Sequence, residues 1–160
     1  MSADAGSIGA AGRREGTVTG VSEPFSLPVV PRYAEIDQQG VVFNGHYLTW
    51  FDEASTAYFE GLGISFADLN ADHYDLKVRR AEVDYLSSVR WRDEVRVAVS
   101  CAAVGTSSIT LEFEVWRRGS EDADVEVCAV TGRNVYVVVS TRDWAKRPIP
   151  DALRAAITRP

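Results

Sequence analysis

One segment of the chain, residues 47–62, repeats its apolar residues at the spacing of an α-helix. The predicted apolar face consists of Tyr47, Trp50, Phe51, Ala54, Ala57 and Tyr58. The opposite face is largely polar and consists of Thr49, Asp52, Glu53, Thr56 and Glu60. Because Leu48 and Phe59 widen the apolar stripe, we expect a long helix that is covered on most sides. We expect the helix to end near Gly61 and Gly63, because glycine is common at the C-terminal end of helices.

Alternation of apolar and polar positions, the pattern of half-buried strands, dominates the rest of the chain. The predicted strands are residues 25–36, 81–85, 95–101, 109–115 and the long β-branched run 125–139. Pro28 and Pro31 interrupt the first strand, which is typical of an edge strand or a bulge. We expect an irregular connection between Gly63 and His73, and a short C-terminal helix over residues 151–157.

The order of these elements is one strand, one long helix and then four strands with hairpin-length connections. This order predicts an α+β fold in which a five-stranded antiparallel sheet curls around the helix. Residues 23–160 are expected to form this single domain. Residues 1–22 are rich in Gly, Ala and Ser and carry almost no large apolar side chain, so we expect a disordered or peripheral N-terminal arm.

The composition and charge of the chain exclude several classes of function. The chain has 160 residues, 46% of them hydrophobic, which suits one domain with a core. Its net charge of −6 argues against a nucleic-acid partner. No apolar run approaches the ~18 residues that span a membrane, and no apolar signal core is present, so we expect a cytoplasmic protein without a membrane partner. The only histidines are His46 and His73 and the two cysteines lack a CxxC spacing, so no bound metal is expected.

The candidate chemistry lies in residues 37–48, where Asp37 precedes a glycine turn that runs into the predicted helix. The N-terminus of a helix offers unpaired N–H groups and a positive dipole end, which can polarise a carbonyl or hold an oxyanion. Asp37, on the opposite side of such a carbonyl, would serve as nucleophile or general base. The same residues also fit an Asx-type turn that only starts the helix.

The segment D-Q-Q-G-V-V-F-N-G-H-Y-L resembles hotdog-fold acyl-CoA thioesterases of the 4-hydroxybenzoyl-CoA thioesterase type. Residues 32–35 (RYAE), 50–54 (WFDEA), 83–85 (VDY) and 148–150 (PIP) fit the same family, so the resemblance covers roughly residues 27–157. It implies the hotdog fold, in which the sheet wraps around one long central helix. It also implies hydrolysis of an acyl-CoA or acyl carrier protein thioester, with no cofactor because coenzyme A is part of the substrate.

The resemblance also implies roles for individual residues. The catalytic carboxylate of the family maps onto Asp37, and its helix-start N–H donor maps onto the backbone of Asn44. Some members carry a histidine at the position of Asn44, whereas this chain places His46 two residues later. The remaining implied substrate-binding residues are Gly40, Val42, Phe43, His46 and Tyr47. Some hotdog thioesterases use a helix carboxylate instead, and here Asp52 and Glu53 lie on the more polar face, for which we expect a solvated or subunit-facing role.

Basic and hydroxyl side chains elsewhere are candidates for contact with the phosphates of coenzyme A, although solvated surface charge is the simpler interpretation of each. They are Ser87, Ser88, Arg90, Arg92, Arg142, Lys146 and Arg147.

An isolated copy of this fold would leave the helix half covered and the sheet edges open. We therefore expect a homo-oligomer with two-fold symmetry, a dimer or a dimer of dimers, with the active site at the dimer interface.

Two other functions remain open at this point. A hotdog hydratase or dehydratase would carry an Asn-Pro and a His a few residues after the Asp, and the Asp37 loop lacks both the spacing and the proline. A non-catalytic acyl-binding domain is the alternative from a different class. The preferred acyl group, whether aromatic, short or long, does not follow from these residues.

Overall fold

The computed structural model describes residues 25–119 and 125–159, so the predicted N-terminal arm, residues 1–22, lies outside the described part. The described strands are β1 (Phe25–Val29), β2 (Tyr74–Tyr85), β3 (Glu94–Val104), β4 (Ser108–Arg118) and β5 (Val127–Ser140). The α-helices are α1 (His46–Gly61), α2 (Phe66–Ala71) and α3 (Asp151–Ile157), and Tyr33–Glu35 forms a 3-10 helix. The predicted order of one strand, a long helix and four further strands is confirmed.

The five strands form one antiparallel sheet in the order β1-β3-β4-β5-β2, which confirms the predicted α+β class and the hotdog architecture. β1 and β2 are the edges. Pro28 lies in β1 opposite Arg96 of β3, on an edge strand, where a missing N–H donor is tolerated. β2 pairs with β5 along its whole length, from Tyr74 opposite Ser140 to Tyr85 opposite Val130.

The core lies between α1 and the inner face of the sheet. The ring of Phe51 is fully buried and stacks on Phe113 of β4, with ring centroids 4.5 Å apart. Gly132 of β5 lies directly beneath Phe51, and a side chain there would overlap the ring. α1 lies closest to β1 and β3, whereas β2 contacts β5 and α2. β2 is the sheet edge opposite β1, and Leu76 is its one buried residue.

Because α1 lies towards one side of the sheet, its covered face differs from the predicted one. Its buried residues are Tyr47, Trp50, Phe51, Ala54, Ser55 and Phe59. Ala57 and Tyr58, predicted as core, are half-buried, whereas Ser55 is buried. The prediction that the helix is covered on most sides is wrong for the single chain, since Leu48 is 43% exposed and Asp52 and Glu53 are exposed.

Three element boundaries also differ from the prediction. β1 ends at Val29, well before residue 36, and a 3-10 helix follows Pro31. α2 replaces the expected irregular connection, and its N-cap Ser65 accepts hydrogen bonds from the N–H groups of Ala67 and Asp68. β2 begins at Tyr74 instead of residue 81, because exposed charged residues such as Lys77 and Arg80 hide the strand pattern around the buried Leu76. Among the described helices, none has the length and apolar character needed to cross a membrane.

Candidate active site

A tight turn holds Asp37 in place. The Asp37 N–H donates to the carbonyl of Val41 at 2.9 Å, and the Gly40 N–H donates to the carbonyl of Asp37 at 3.0 Å. Gly40 has φ +75°, a left-handed conformation that favours glycine, and a Cβ there would meet no atom within 4 Å. The turn therefore needs Gly40 for its backbone conformation, and not for close approach of another group within the chain.

The two carboxylate oxygens of Asp37 differ in their hydrogen bonds. Its Oδ1 accepts the N–H of Gln39 at 2.7 Å and that of Val41 at 3.5 Å. This is the Asx-type turn that the sequence left open. Within residues 25–119 and 125–159, Oδ2 has no hydrogen-bond partner. One oxygen thus fixes the turn, and the other remains available for a ligand or a water molecule.

The turn docks onto the segment that follows β2. The N–H of Val42 donates to the carbonyl of Val89 at 2.9 Å, and Val41 forms an isolated antiparallel bridge with Arg90. Between the two segments lies an open cleft of about 350 Å³. Its lining consists of Asp37, Gln39, Val41, Val42, Asn44, Tyr47, Tyr85, Leu86, Ser87 and Ser88. The structure thus brings Asp37, Asn44 and Tyr47 to one cleft.

Asn44 immediately precedes the start of α1. The helix begins at His46 with Gly45 as its N-cap, so Asn44 lies two residues before the first helical residue, not at it. The carbonyl of Asn44 accepts a hydrogen bond from the Tyr85 hydroxyl at 3.1 Å. The part of the chain that the structure describes offers no acceptor for the Asn44 N–H. An unengaged donor therefore lies in the same cleft as the Asp37 carboxylate.

A family model described as the thioesterase superfamily matches residues 39–123, more than half of the chain. The chain belongs to the thioesterase superfamily. The matched region begins two residues after Asp37 and covers Asn44, α1 and the cleft segment at Tyr85–Ser88. The resemblance seen in the sequence is confirmed, and the chain is a thioester hydrolase.

Two curated relatives come from Bacillus subtilis (strain 168). The "Uncharacterized protein YsmA" is 31% identical over 116 residues, which cover 72% of this chain and 73% of that protein. The "Putative acyl-CoA thioesterase YneP" is 42% identical over 38 residues, which cover 24% of this chain and 28% of YneP. The match to YneP thus spans little more than a quarter of that relative's length.

Solved structures share the fold over most of the chain. A "predicted thioesterase" from Bacillus stearothermophilus is 28% identical with a TM-score of 0.70, covering 83% of this chain and 92% of that one. The DHNA-CoA thioesterase from Staphylococcus aureus is 25% identical with a TM-score of 0.67, covering 78% of each chain. Both likenesses cover more than three quarters of this thioesterase-superfamily chain.

Tyr47 forms a wall of the cleft. Its ring is 2% exposed and packs edge to face against Trp50 and Tyr85, with centroids 5.1 and 5.7 Å away. Burial raises the pKa of the Tyr47 hydroxyl to about 12. The phenol therefore stays protonated at neutral pH, which fits a pocket wall and not a general base.

The remaining predicted site residues are divided: Val42 lines the cleft, whereas Gly40, Phe43 and His46 do not. Phe43 and His46 pack against each other with ring centroids 5.9 Å apart, and Phe43 is 49% exposed. Ser87 and Ser88 line the cleft, and Arg90 is exposed just beyond it. Arg142, Lys146 and Arg147 follow the end of β5 that pairs with Tyr74, at the opposite end of β2 from the cleft.

Sequence reasoning missed the role of Glu35, a buried carboxylate two residues before Asp37. Glu35 accepts the N–H of Arg32 at 2.8 Å, the Arg32 side chain at 2.6 Å and the indole N–H of Trp50 at 3.4 Å. Its backbone carbonyl accepts the N–H of Phe43 at 2.9 Å. Glu35 thus ties the Asp37 loop to α1. Glu35 accepts the N–H of Arg32 as the acidic residue of a capping box does, but the Arg32 side chain cannot accept the reciprocal bond, so the sequence lacked the full capping-box signal.

Glu35→Gln is expected to destabilise the folded state by about 1–2 kcal/mol at neutral pH, since it removes charge-assisted hydrogen bonds whose Arg32 partner is partly screened by water. Burial alone would raise the pKa of the Glu35 carboxyl, but the hydrogen bonds from Arg32 outweigh it and lower that pKa. The stabilisation is therefore present above about pH 4.3 and lost as the pH falls through the lowered pKa. Thermal melts of both proteins from neutral to acidic pH should show a shrinking difference, and a constant difference would contradict this assignment.

Proposed function

We propose that this chain hydrolyses acyl-CoA thioesters to the free acid and coenzyme A in the cleft beside α1. The observation that carries the proposal is the placement of the Asp37 carboxylate and the unengaged Asn44 N–H in one cleft. The names of YneP and of the Staphylococcus aureus enzyme support coenzyme A as the carrier.

The cleft supplies the two functions that thioester hydrolysis needs. The Asn44 N–H, together with the positive end of α1, donates to the thioester carbonyl oxygen and stabilises the negative charge that develops there. The free Oδ2 of Asp37 either attacks the carbonyl carbon or removes a proton from an attacking water molecule. In the first route the thiolate leaves and an acyl-aspartyl anhydride forms, which water then hydrolyses. In the second route water adds directly and the thiolate leaves.

A thiol-reactive dye tests the activity directly. The panel contains aromatic, short-chain and long-chain acyl-CoAs, and the same acyl groups on an acyl carrier protein. We expect thiol release above the enzyme-free control for at least one acyl-CoA. A chelator should leave the rate unchanged, because the proposed mechanism uses no metal. Absence of thiol release from every acyl-CoA at high enzyme concentration would refute the proposed function.

The open edge of β2 indicates self-association, and we expect a two-fold homodimer or a dimer of dimers in solution. β2 exposes Val78 by 52% and Tyr85 by 53%, and Leu86 beyond it by 60%. Tyr85 and Leu86 line the cleft, so a second copy on this edge would complete the active site and hold part of the coenzyme A arm. Light scattering of the active enzyme should report a multiple of 17.6 kDa. A stable, active monomer would be the contrary result.

His46→Ala is expected to lower kcat by about 10-fold or less, because the imidazole packs against Phe43 and does not line the cleft. A loss of that size corresponds to at most ~1.4 kcal/mol in the barrier. If His46→Ala instead abolishes turnover as completely as Asp37→Asn does, His46 is the base and Asp37 only orients it.

A further inference from the structure

Two exposed aromatic rings pack together beside the cleft. Tyr33, in the 3-10 helix after β1, and Trp91, in the turn before β3, form an edge-to-face pair with centroids 5.4 Å apart. Tyr33 is 75% exposed and Trp91 45% exposed. The pair connects two loops, yet much of both rings remains in contact with water, which is costly for large apolar groups unless a ligand covers them.

One arginine packs on the Trp91 ring, and a second, Arg90, immediately precedes Trp91 in the chain. The guanidinium carbon of Arg92 lies 4.2 Å from the centroid of the Trp91 ring. Arg92 has φ +74°, a conformation that a residue with a long side chain rarely adopts. The turn that imposes it is fixed by the buried carboxylate of Asp93, which accepts the N–H of Arg90 at 2.8 Å. The ring and the Arg92 guanidinium are therefore held in a defined arrangement.

The positive charges of this patch are not neutralised locally. Among the described side chains, no carboxylate lies within 4.0 Å of the guanidinium groups of Arg90 or Arg92. The protein as a whole carries a net charge of −6. The unpaired Arg92 on the Trp91 ring, with the unpaired Arg90 two residues earlier, suits an anionic, planar ligand.

The patch is continuous with the cleft. Ser88 lines the cleft, and Val41, another lining residue, forms the antiparallel bridge with Arg90. Two residues lie between Ser88 and Trp91, so their Cα atoms are at most about 10 Å apart. The nucleotide end of a ligand in the cleft could therefore reach the rings.

We propose that Tyr33, Arg90, Trp91 and Arg92 bind the 3′-phosphoadenosine diphosphate portion of coenzyme A, an inference that rests on the proposed function. The adenine stacks on the exposed aromatic surface, and the arginines donate hydrogen bonds to the phosphates. The pantetheine arm then lies over Ser88 and Val41 and delivers the thioester to Asp37. The assignment makes the enzyme selective for coenzyme A thioesters over carriers that lack the nucleotide.

The test compares one acyl group on coenzyme A and on pantetheine, which shares the reacting arm but lacks the nucleotide. The wild-type enzyme should prefer acyl-CoA through a lower KM. Trp91→Ala should reduce that preference about 10-fold or more, the expected effect of one lost base–ring stack, with kcat for acyl-CoA retained. Trp91→Phe should restore most of the preference. Arg92→Gly, which suits the positive φ, should reduce it by removing a phosphate contact.

Trp144 provides a matched control. It is 60% exposed, has a positive φ of 57° and carries a cation, Lys77, 4.9 Å from its ring centroid. It follows the end of β5 that pairs with Tyr74, far from the Ser88 end of β2. Trp144→Ala should therefore leave the ratio of the two KM values unchanged. A fall in the ratio for Trp144→Ala, without one for Trp91→Ala, would place the nucleotide at the opposite end of the sheet and overturn the proposal.

Calorimetric titration separates this inference from the proposed function. The wild-type protein should bind free coenzyme A but not free pantetheine at the same concentration, and Trp91→Ala should weaken coenzyme A binding. Equal affinity for both ligands, or an unchanged affinity in Trp91→Ala, overturns the inference even if thioesters are hydrolysed. If no thioester is hydrolysed, the proposed function fails, and the titration still decides whether the patch binds the nucleotide.

Discussion

Asp37→Asn is expected to lower kcat for thioester hydrolysis at least about 100-fold, the usual effect of losing a general base or nucleophile. The fold should persist, because the amide oxygen of asparagine can accept the Gln39 N–H that Oδ1 of Asp37 now accepts at 2.7 Å. What disappears is the charge, and with it the ability of the second oxygen to attack carbon or take a proton. Steady-state kinetics of the variant measure the loss of kcat, and a thermal melt measures whether the fold persists.

Asp52→Asn is the matched control for this variant. It makes the same chemical change on the exposed face of α1, where no hydrogen bond of the described structure engages the Asp52 carboxylate. We expect near wild-type kcat from it. The mechanism placed on Asp37 would be wrong if folded Asp37→Asn kept its turnover while Asp52→Asn lost it. Catalysis would then lie on the helix carboxylate, as in the alternative that the sequence raised.

The sequence predicts those elements that have one face in the core and one face in solvent. In α1, β3 and β4 the apolar residues recur with the period of the element, so the pattern is visible without the structure. β2 was recognised only from residue 81, because its first half is an edge with charged residues such as Lys77 and Arg80 on exposed positions. α2 is too short for a periodic signal, and only its Ser65 cap marks it.

The sequence predicts the site residues that belong to one local turn. It does not predict the residues that tertiary contacts bring to the cleft. Asp37 and Gly40 belong to one turn, whose aspartate and glycine signal its conformation. Tyr85 and Leu86 enter the cleft only because β2 pairs with β5 and ends beside Asn44, which no local pattern reveals. Glu35 acquires its role from Trp50, fifteen residues away.

The motif at residues 37–48 also groups residues that line the cleft with residues that do not. Phe43 and His46 are three positions apart and pack on each other, because they are the two ends of the turn before α1, in which the His46 N–H donates to the carbonyl of Phe43 at 3.0 Å. Asn44, inside that turn, and Tyr47, in the first turn of α1, line the cleft. A sequence motif marks the segment, whereas the conformation of the turn decides which of its residues line the cleft.

Gly132→Ala is expected to destabilise the fold by about 3 kcal/mol, the upper range for an overpacked core. The added methyl group would overlap Cε2 of Phe51 and lie 2.5 Å from its Cζ. The ring cannot move away, since it is fully buried and stacked on Phe113. Any adjustment must shift α1, which carries Tyr47 and follows Asn44, so activity should fall together with the melting temperature.

Gly61→Ala makes the same addition at the end of α1 and serves as the control. A Cβ there would lie 3.6 Å from the Phe25 ring, an ordinary contact, and alanine favours a helix over glycine by up to about 1 kcal/mol. Urea unfolding should therefore find Gly61→Ala as stable as the wild type or more so. Combining Gly132→Ala with Phe51→Leu should restore part of the lost stability, because the smaller side chain makes room for the methyl group. If the two losses simply add, residues 51 and 132 do not compete for the same space, and the packing that fixes α1 over the sheet must come from other contacts.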